Sequence, residues 1–322
     1  MLTIFYDAPP GSDYFTALAS VNPGAASRRL EQTAEYLSRD HGIGCCGYIL
    51  GEHTPNDTEV LLIFKRNNTS NIALADGLFS LGRDRALPLL TACFSRSLSR
   101  ASGWAGRHWV APAGNFHVSL LLKPRIPVDT RSLFTLRLLV YTALISRLQT
   151  ALPPGAAVRF RLPAEFLVAG KKIGGVLEKG YMGTTVKGLL FGIGLNLNQL
   201  PHVADLRDNP YVAGVSSVAH ITGASCDVGA WLLDVLRLLL VSLRQFAGAR
   251  QDTAARALAD FQALVYGMGQ EVILYADEGN RLTKPLAHGR LCAIDAQGRP
   301  VLQTARGRYT HTSRRTFRML PA

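Results

Sequence analysis

The segment that most constrains the fold is Lys171–Asn198, KKIGGVLEKGYMGTTVKGLLFGIGLNLN. It holds two short apolar runs, Lys172–Leu177 and Leu189–Ile193, on either side of a glycine-containing stretch at Gly180–Gly183. Runs of this length with glycine between them are typical of a β-hairpin. A lysine beside two glycines also puts a compact positive charge where the backbone can approach a ligand. Taken alone, this pattern is more often an ordinary hairpin than a ligand site.

The rest of the chain alternates short strands with helices. Strands are predicted from apolar runs and β-propensity at Glu59–Phe64, Leu87–Phe94, Asn115–Leu122, Val158–Leu162 and Phe166–Val168. Helices are predicted mainly from apolar spacing at Ile72–Leu81, Arg131–Leu148, Val215–Thr222, Val228–Phe246 and Thr253–Leu264. From Gly267 onward only short strands and turns follow, as in a small β-barrel. These elements predict an α+β fold with a mixed β-sheet, helices and a small C-terminal barrel.

Residues 1–57 stand apart from this pattern. They contain a strand candidate at Leu2–Tyr6 and a helix near Arg28–Arg39, without a convincing pair of DNA-binding helices. We therefore predict three units: an N-terminal extension of unknown role at 1–57, a catalytic domain at 58–265 and a β-barrel domain at 266–322.

Composition narrows the class of protein. Hydrophobic residues make up 48% of the chain and charged residues 18%, which supports a sizeable core and argues against disorder. The net charge of +12 favours an anionic substrate or partner, and no DNA-binding motif accompanies it. No apolar run has the length of a membrane span and no secretory signal is evident, so we expect a cytoplasmic protein. The five cysteines include no CxxC pair, which argues against zinc and a disulfide framework.

Four motifs, one of them a pair of strands, resemble in order along the chain those of the biotin–protein ligase family. KIGGVLEK from Lys172 and GIGLNLN from Gly192 are similar to the family's two pocket strands. Upstream, GRHWVAP from Gly106 resembles its glycine- and arginine-rich loop, and Thr69–Asn71 resembles its S-T-N segment with the two hydroxyl residues exchanged. Downstream, GRLCAIDAQGRPVLQT from Gly289 is similar to the family's SH3-like domain.

The resemblance implies a class II synthetase-like biotin ligase core, followed by an SH3-like β-barrel. It implies an enzyme that uses ATP, Mg²⁺ and biotin to form biotinyl-5′-AMP, and then transfers biotin to a lysine of a biotin carboxyl carrier domain of a carboxylase. Neither specific DNA binding nor a membrane partner is expected. The acceptor protein and the oligomeric state stay open, a homodimer included.

The resemblance also implies roles for individual residues. Lys172 would contact the biotin carboxylate and the α-phosphate as the main catalytic electrophile. Biotin would be bound by Thr69, Ser70, Asn71, Gly174 and Gly175. ATP and the adenylate would be bound by Gly103, Gly106, Arg107, Trp109, Glu165 and Asn196. No metal ligand from the protein is assigned.

The loop before Trp109 departs from the family pattern. Two of its three arginines are replaced, by Ser102 and Trp104, and the glutamine that usually precedes the loop is absent. Such a loop should hold an adenylate less tightly. Two alternatives therefore stay open: a ligase for lipoate or another acyl group, and a ligase-fold binding protein without ligase activity. His108 and His117 are interpreted as ordinary strand residues rather than a metal pair.

Overall fold

The computed structural model describes residues 2–6, 22–23, 31–43, 45–49, 60–81, 87–103, 106–124, 128–201, 214–248, 250–278, 281–312 and 317–322. The strands of a larger sheet are β1 (Leu2–Tyr6), β2 (Asn22–Pro23), β3 (Cys45–Ile49), β4 (Val60–Asn68), β5 (Leu90–Leu98), β6 (Phe116–Leu122), β7 (Val158–Arg161), β8 (Glu165–Val168), β9 (Lys171–Met182) and β10 (Val186–Leu195). A smaller sheet contains β11 (Glu271–Glu278), β12 (Arg281–Ile294), β13 (Pro300–Thr304), β14 (Gly307–Thr310) and β15 (Phe317–Pro321). The helices are α1 (Glu31–His41), α2 (Asn71–Leu81), α3 (Thr130–Ala151), α4 (Val218–Thr222), α5 (Val228–Gly248) and α6 (Arg250–Leu264).

The larger sheet is mixed, as predicted. Its order is β2-β3-β1-β4-β5-β6-β10-β9-β8-β7. β4 runs parallel to both β1 and β5, whereas the other pairs are antiparallel. The smaller sheet is antiparallel throughout, in the order β14-β13-β12-β11-β15. The α+β class is confirmed, and the SH3-like closure of the smaller sheet stays a prediction. No helix in the described ranges is long and apolar enough to cross a membrane.

The sequence suggests that the N-terminal segment stands apart. In the structure, its strands belong to the larger sheet. β1 pairs in parallel with β4, and β3 pairs with β1. On one face of the sheet, Leu37 of α1 and Ile43 are buried in a cluster with Leu74 and Leu78 of α2. A parallel pairing between distant segments has no local pattern, so the sequence carried no sign of it. The role of residues 1–57 and the domain boundaries remain predictions.

The central strand β6 shows how the sheet separates core from cleft. Phe116, Val118 and Leu120 point to the face covered by α3 and α5, where the ring of Phe116 lies 5.3 Å from that of Trp231. Alternate residues of a strand face opposite sides. His117 and Ser119 therefore point to the other face, on the side of α2. The larger core occupies the first face, and a cleft opens on the second.

The packing of α5 provides a test of this core. Leu239 is fully buried, whereas its neighbour Leu238 is 38% exposed. We expect Leu239→Ala to lower the free energy of unfolding by about 2–5 kcal/mol, because it leaves a cavity. Leu238→Ala should change it by less than about 0.5 kcal/mol. Urea unfolding of both variants measures the difference, and equal losses would contradict the burial described for α5.

Candidate active site

The cleft lies on the α2 side of the larger sheet and encloses about 900 Å³, its open mouth included. β6, β10 and β9 form its floor. α2 begins at one wall, and the loop residues 101–103 and 107–109 form another. Eight of the predicted site residues line it: Ser70, Asn71, Gly103, Arg107, Trp109, Glu165, Lys172 and Gly175.

Two glycines on β10 determine how the cleft is covered. A Cβ atom on Gly192 would lie 2.5 Å from Cδ1 of Ile72, and one on Gly194 would lie 2.5 Å from Cε2 of Trp109. Neither distance is sterically allowed. Glycine at these positions therefore lets Ile72 and Trp109 rest on the sheet and form apolar walls.

A buried charge cluster lies at one end of the cleft. The Lys172 ammonium donates to Oε1 of Glu165 at 2.9 Å, and Nε of Arg161 donates to Oε2 at 2.8 Å. Burial alone would raise the pKa of Glu165, but the charges of Lys172 and Arg161 lower it to about 2. The carboxylate is thus ionised at neutral pH and fixes the ammonium, whose Nζ lies 5.5 Å from the Trp109 ring centroid.

The smaller sheet contributes two residues that the sequence analysis missed. Asp277 of β11 and Arg318 of β15 both line the cleft. Nη2 of Arg107 donates to Oδ2 of Asp277 at 2.8 Å, and Nε of Arg318 lies 3.9 Å from the same oxygen. These side chains are almost fully buried. The salt bridge between Arg107 and Asp277 joins residues far apart in sequence, and neither Asp277 nor Arg318 belongs to a motif that could have indicated it.

The charged residues around Glu165 and those around Asp277 together form a positively charged end of the cleft. Among the described residues, it brings together two carboxylates, those of Glu165 and Asp277, and four cationic side chains, of which Arg107, Lys172 and Arg318 line the cleft and Arg161 lies beside them. The excess is two positive charges. Such an end attracts carboxylate and phosphate groups, and its burial strengthens the attraction.

The start of α2 is held by polar contacts. Oγ of Ser70 accepts from the backbone N–H of Ala73 at 3.3 Å, an N-terminal helix cap. Oδ1 of Asn71 accepts from Ser95 Oγ at 2.6 Å, and its Nδ2 donates to the carbonyl oxygen of His117 at 2.9 Å. The Asn71 amide is thus engaged with the protein and positions β6 against α2.

Two residues predicted to bind biotin lie outside the cleft. Thr69 is exposed and faces a shallow groove on the outer surface. Gly174 points to the core, because a Cβ there would lie 2.4 Å from Cδ2 of Leu195. Since neighbouring residues of a strand face opposite sides, Gly175 lines the cleft and Gly174 cannot. Thr69 leads into α2, and Gly174 allows close packing of β9 on β10, so the structure does not bring either residue to the cleft.

Two residues predicted to bind the nucleotide also lie off the lining of the cleft, and their nucleotide contacts stay predictions. Gly106 has a φ of +74°, which favours glycine, and it turns the loop without lining the cleft. Asn196 is buried, and its Nδ2 donates to the carbonyl oxygen of Ser216 at 3.2 Å. The N–H of Ser216 in turn donates to the carbonyl oxygen of Lys172 at 2.9 Å. Asn196 therefore holds the backbone beside Lys172. Trp104 lies outside the described residues.

His117 and Ser119 of β6 line the cleft, although neither was predicted as a site residue. Both are 1% exposed. Burial lowers the pKa of His117 to about 4, although a hydrogen bond with Pro112 opposes the shift. Within the described part of the chain, no three His, Cys, Asp or Glu side chains are grouped to hold a metal ion. The alternation of residues along β6 is the signal in the sequence that could have identified His117 and Ser119.

The cleft coincides with the region that matches a known family. The model of the biotin/lipoate A/B protein ligase family matches residues 91–196, which include the covering loop, Glu165 and Lys172. The likeness to this family therefore covers residues 91–196 of the chain. A biotin--[acetyl-CoA-carboxylase] ligase of Paracoccus denitrificans is 28% identical over 217 residues, which cover 64% of this chain and 81% of that protein. The resemblance inferred from the motifs is confirmed.

Solved structures of this ligase group share the fold. The biotin protein ligase of Aquifex aeolicus in complex with biotin and ATP matches with a TM-score of 0.63 at 20% identity, over 81% of this chain and 99% of that one. The biotin protein ligase of Leishmania major in complex with biotinyl-5-AMP matches with a TM-score of 0.50 at 17% identity, over 81% and 98% of the two chains. At these identities the likeness concerns the fold.

The contact between Gly194 and Trp109 can be tested by a double-mutant cycle. We expect Gly194→Ala to lower the free energy of unfolding by about 1–3 kcal/mol, because the added methyl group displaces the indole. In a Trp109→Ala background the same change should cost much less. Gly180→Ala is the matched control, since a Cβ there would meet only ordinary contacts at 3.7 and 4.0 Å. Equal costs in both backgrounds would contradict the contact.

The low pKa of His117 predicts a pH dependence of stability. An unfolded histidine has a pKa near 6.5, so between pH 6.5 and about 4 the unfolded chain binds more protons at this site than the folded one. The free energy of unfolding should therefore fall as the pH is lowered through this range, by up to about 3 kcal/mol. His117→Gln should remove this part of the slope. Identical slopes in urea titrations of both proteins would contradict it.

Proposed function

We propose that this protein is an ATP-dependent biotin–protein ligase. It would condense biotin with ATP to biotinyl-5′-AMP and transfer biotin to a lysine of a biotin carboxyl carrier domain of a carboxylase. The observation that carries the proposal is Lys172, fixed by Glu165 at the positive end of a glycine-floored cleft within the matched family domain.

The first half-reaction joins two anions, which repel each other unless positive charge lies between them. A carboxylate oxygen of biotin attacks the α-phosphorus of ATP, the bond to the β-phosphate oxygen breaks, and pyrophosphate leaves. The Lys172 ammonium is suited to bind both the carboxylate and the α-phosphate and to offset the negative charge of the transition state. Arg107 and Arg318 add positive charge for the phosphates at the same end.

The second half-reaction needs an adenylate that is protected from water. The amine of the acceptor lysine attacks the acyl carbon, AMP leaves, and an amide forms. Trp109 and Ile72 lie on the glycines of β10 and give the cleft apolar walls. Apolar walls keep water from the reactive acyl group until the acceptor arrives.

Magnesium would be bound with the ATP phosphates, whose charge it neutralises. Both carboxylate oxygens of Glu165 are engaged, one by Lys172 and one by Arg161. The described residues also group no three acidic or histidine side chains for a metal. The donor set therefore suits a hydrated ion carried by the nucleotide better than a site built by the protein.

The relatives support this choice of substrates. The Aquifex aeolicus protein has been solved with biotin and ATP, and the Paracoccus denitrificans protein is named for acetyl-CoA carboxylase. A carboxylase carrier domain is accordingly the proposed acceptor. Specific DNA binding and a membrane partner are not proposed.

The proposal predicts that Lys172 is essential and Lys171 is not. Wild-type protein should catalyse biotin-dependent exchange between pyrophosphate and ATP and should add the mass of a biotinyl group to a carrier domain. Lys172→Ala should lower the exchange rate by about 10²–10³-fold, because the main charge opposite the transition state is lost. Lys171→Ala, at an exposed neighbouring position, should stay within about twofold of wild type.

Each contrary result has a distinct meaning. A folded wild-type protein that shows no exchange with biotin would overturn the ligase proposal. A carrier gaining a lipoyl mass instead would indicate the alternative acyl ligase. Equal exchange by the wild type and Lys172→Ala would remove Lys172 from the reaction.

A further inference from the structure

His117 and Ser119 lie at the part of the cleft formed by β6. Only β10 separates β6 from β9, the strand that carries Lys172, so the two strands lie about 10 Å apart. Neither residue takes part in the half-reactions described above. A ligand whose carboxylate reaches Lys172 would place its other end near β6.

The hydrogen-bonding character of His117 follows from its neighbours. The carbonyl oxygen of Pro112 can only accept, so its 3.0 Å contact with Nε2 requires the hydrogen to be on Nε2. The lowered pKa of His117 leaves the ring neutral at pH 7. Nδ1 therefore presents a lone pair, and it can accept a hydrogen bond but cannot donate one.

Three residues that line this part of the cleft each carry a buried polar atom. Among the described residues, none forms a hydrogen bond with Nδ1 of His117, Oγ of Ser119 or Nε1 of Trp109. Trp109 rests on Gly194, which is the register partner of His117, so its N–H lies on the same patch. Gly192 is the register partner of Ser119, and the side chain of Ile72 packs over that glycine. Polar atoms buried without partners are costly, so a built site for a polar group is a physical reason to retain them.

We propose that His117 is the residue that selects the head group of the ligand: Nδ1 accepts a hydrogen bond from a ring N–H, while Ser119 Oγ and Trp109 Nε1 donate to the adjacent carbonyl oxygen. This inference rests on the proposed function, because the cyclic urea of biotin has an N–H beside a carbonyl. Asn71 is a positioning residue, since its Nδ2 donates to the backbone carbonyl of His117.

The same geometry disfavours lipoate. Its dithiolane ring has neither an N–H nor a carbonyl group and would leave the three polar atoms buried without partners. A site built to hydrogen-bond its substrate rejects analogues that lack the group far more strongly than an apolar pocket does. The polar patch on β6 thus argues for a cyclic urea or amide at this end of the ligand.

Two substitutions of His117 distinguish the hydrogen bond made by Nε2 from the one proposed for Nδ1. His117→Gln can still donate to Pro112 through its terminal amide but has no acceptor at the Nδ1 position. His117→Asn can keep an acceptor near the Nδ1 position but loses the bond to Pro112. The ligands are biotin and its cyclic-carbonate analogue, in which oxygen replaces both ring N–H groups. Calorimetry with the full chain gives Kd for each pair.

The expected result is a change in selectivity rather than in affinity alone. Wild-type protein should prefer biotin strongly, and His117→Gln should reduce the ratio of the two Kd values at least about tenfold. His117→Asn should keep more of the ratio than His117→Gln. A merely structural role would weaken both ligands alike, so an unchanged ratio in His117→Gln, or the reverse order of the two variants, would overturn the proposal.

Two further variants keep the test decisive. Ser119→Ala removes only a hydroxyl group and should weaken biotin binding about tenfold even if His117→Gln does not fold. Thr91→Val is the matched control, because Thr91 Oγ1 is also buried without a partner among the described residues but does not line the cleft. Unchanged affinity in Ser119→Ala would overturn the proposal. Failure of the wild type to bind biotin would overturn the proposed function as well, whereas binding that is indifferent to His117 and Ser119 would overturn this inference alone.

Discussion

The site depends on one buried carboxylate, that of Glu165. It lies between Arg161 on β7 and Lys172 on β9, and each of its oxygens accepts from one of them. Without it, two cations would be buried close together with no counter-charge, which is strongly unfavourable. The Lys172 side chain is long and flexible, and its hydrogen bond to this carboxylate fixes its direction in the cleft. Catalytic geometry and local stability therefore share the same contact.

A second carboxylate, that of Asp277, gives the smaller sheet a part in the site. It binds Arg107, so the loop that covers the cleft is attached to β11 rather than only to its own flanking strands. Arg318 approaches the same oxygen from β15. The C-terminal strands thus complete the positive end of the cleft. The loop has fewer arginines than the family pattern, but it retains Arg107, which is held by Asp277.

Features that depend on neighbouring residues could be predicted from the sequence, whereas those that depend on contacts between distant segments could not. Local patterns predicted the pairing of β9 with β10, because glycines and apolar runs act within a few residues, but β9 continues as a strand to Met182 through most of the predicted turn. Family motifs located Lys172 and Glu165 for the same reason. Gly174 and Asn196 were predicted to contact ligands because a motif does not say whether a residue faces the cleft or the protein interior. The roles of Asp277 and of β1 depend on contacts between distant segments, which leave no mark on the nearby sequence.

The pairing of β1 with β4 affects the tendency of the protein to aggregate through its sheet edge. β4 begins with the buried apolar run Val60–Phe64. If β1 did not pair with it, this strand would form an edge of the sheet, with a row of open backbone groups able to template another chain. β1 and β3 cover that edge, and within the described ranges the sheet ends in β2, which is two residues long and includes Pro23. A short strand with a proline is a poor template, so the N-terminal segment protects the sheet against edge-to-edge aggregation.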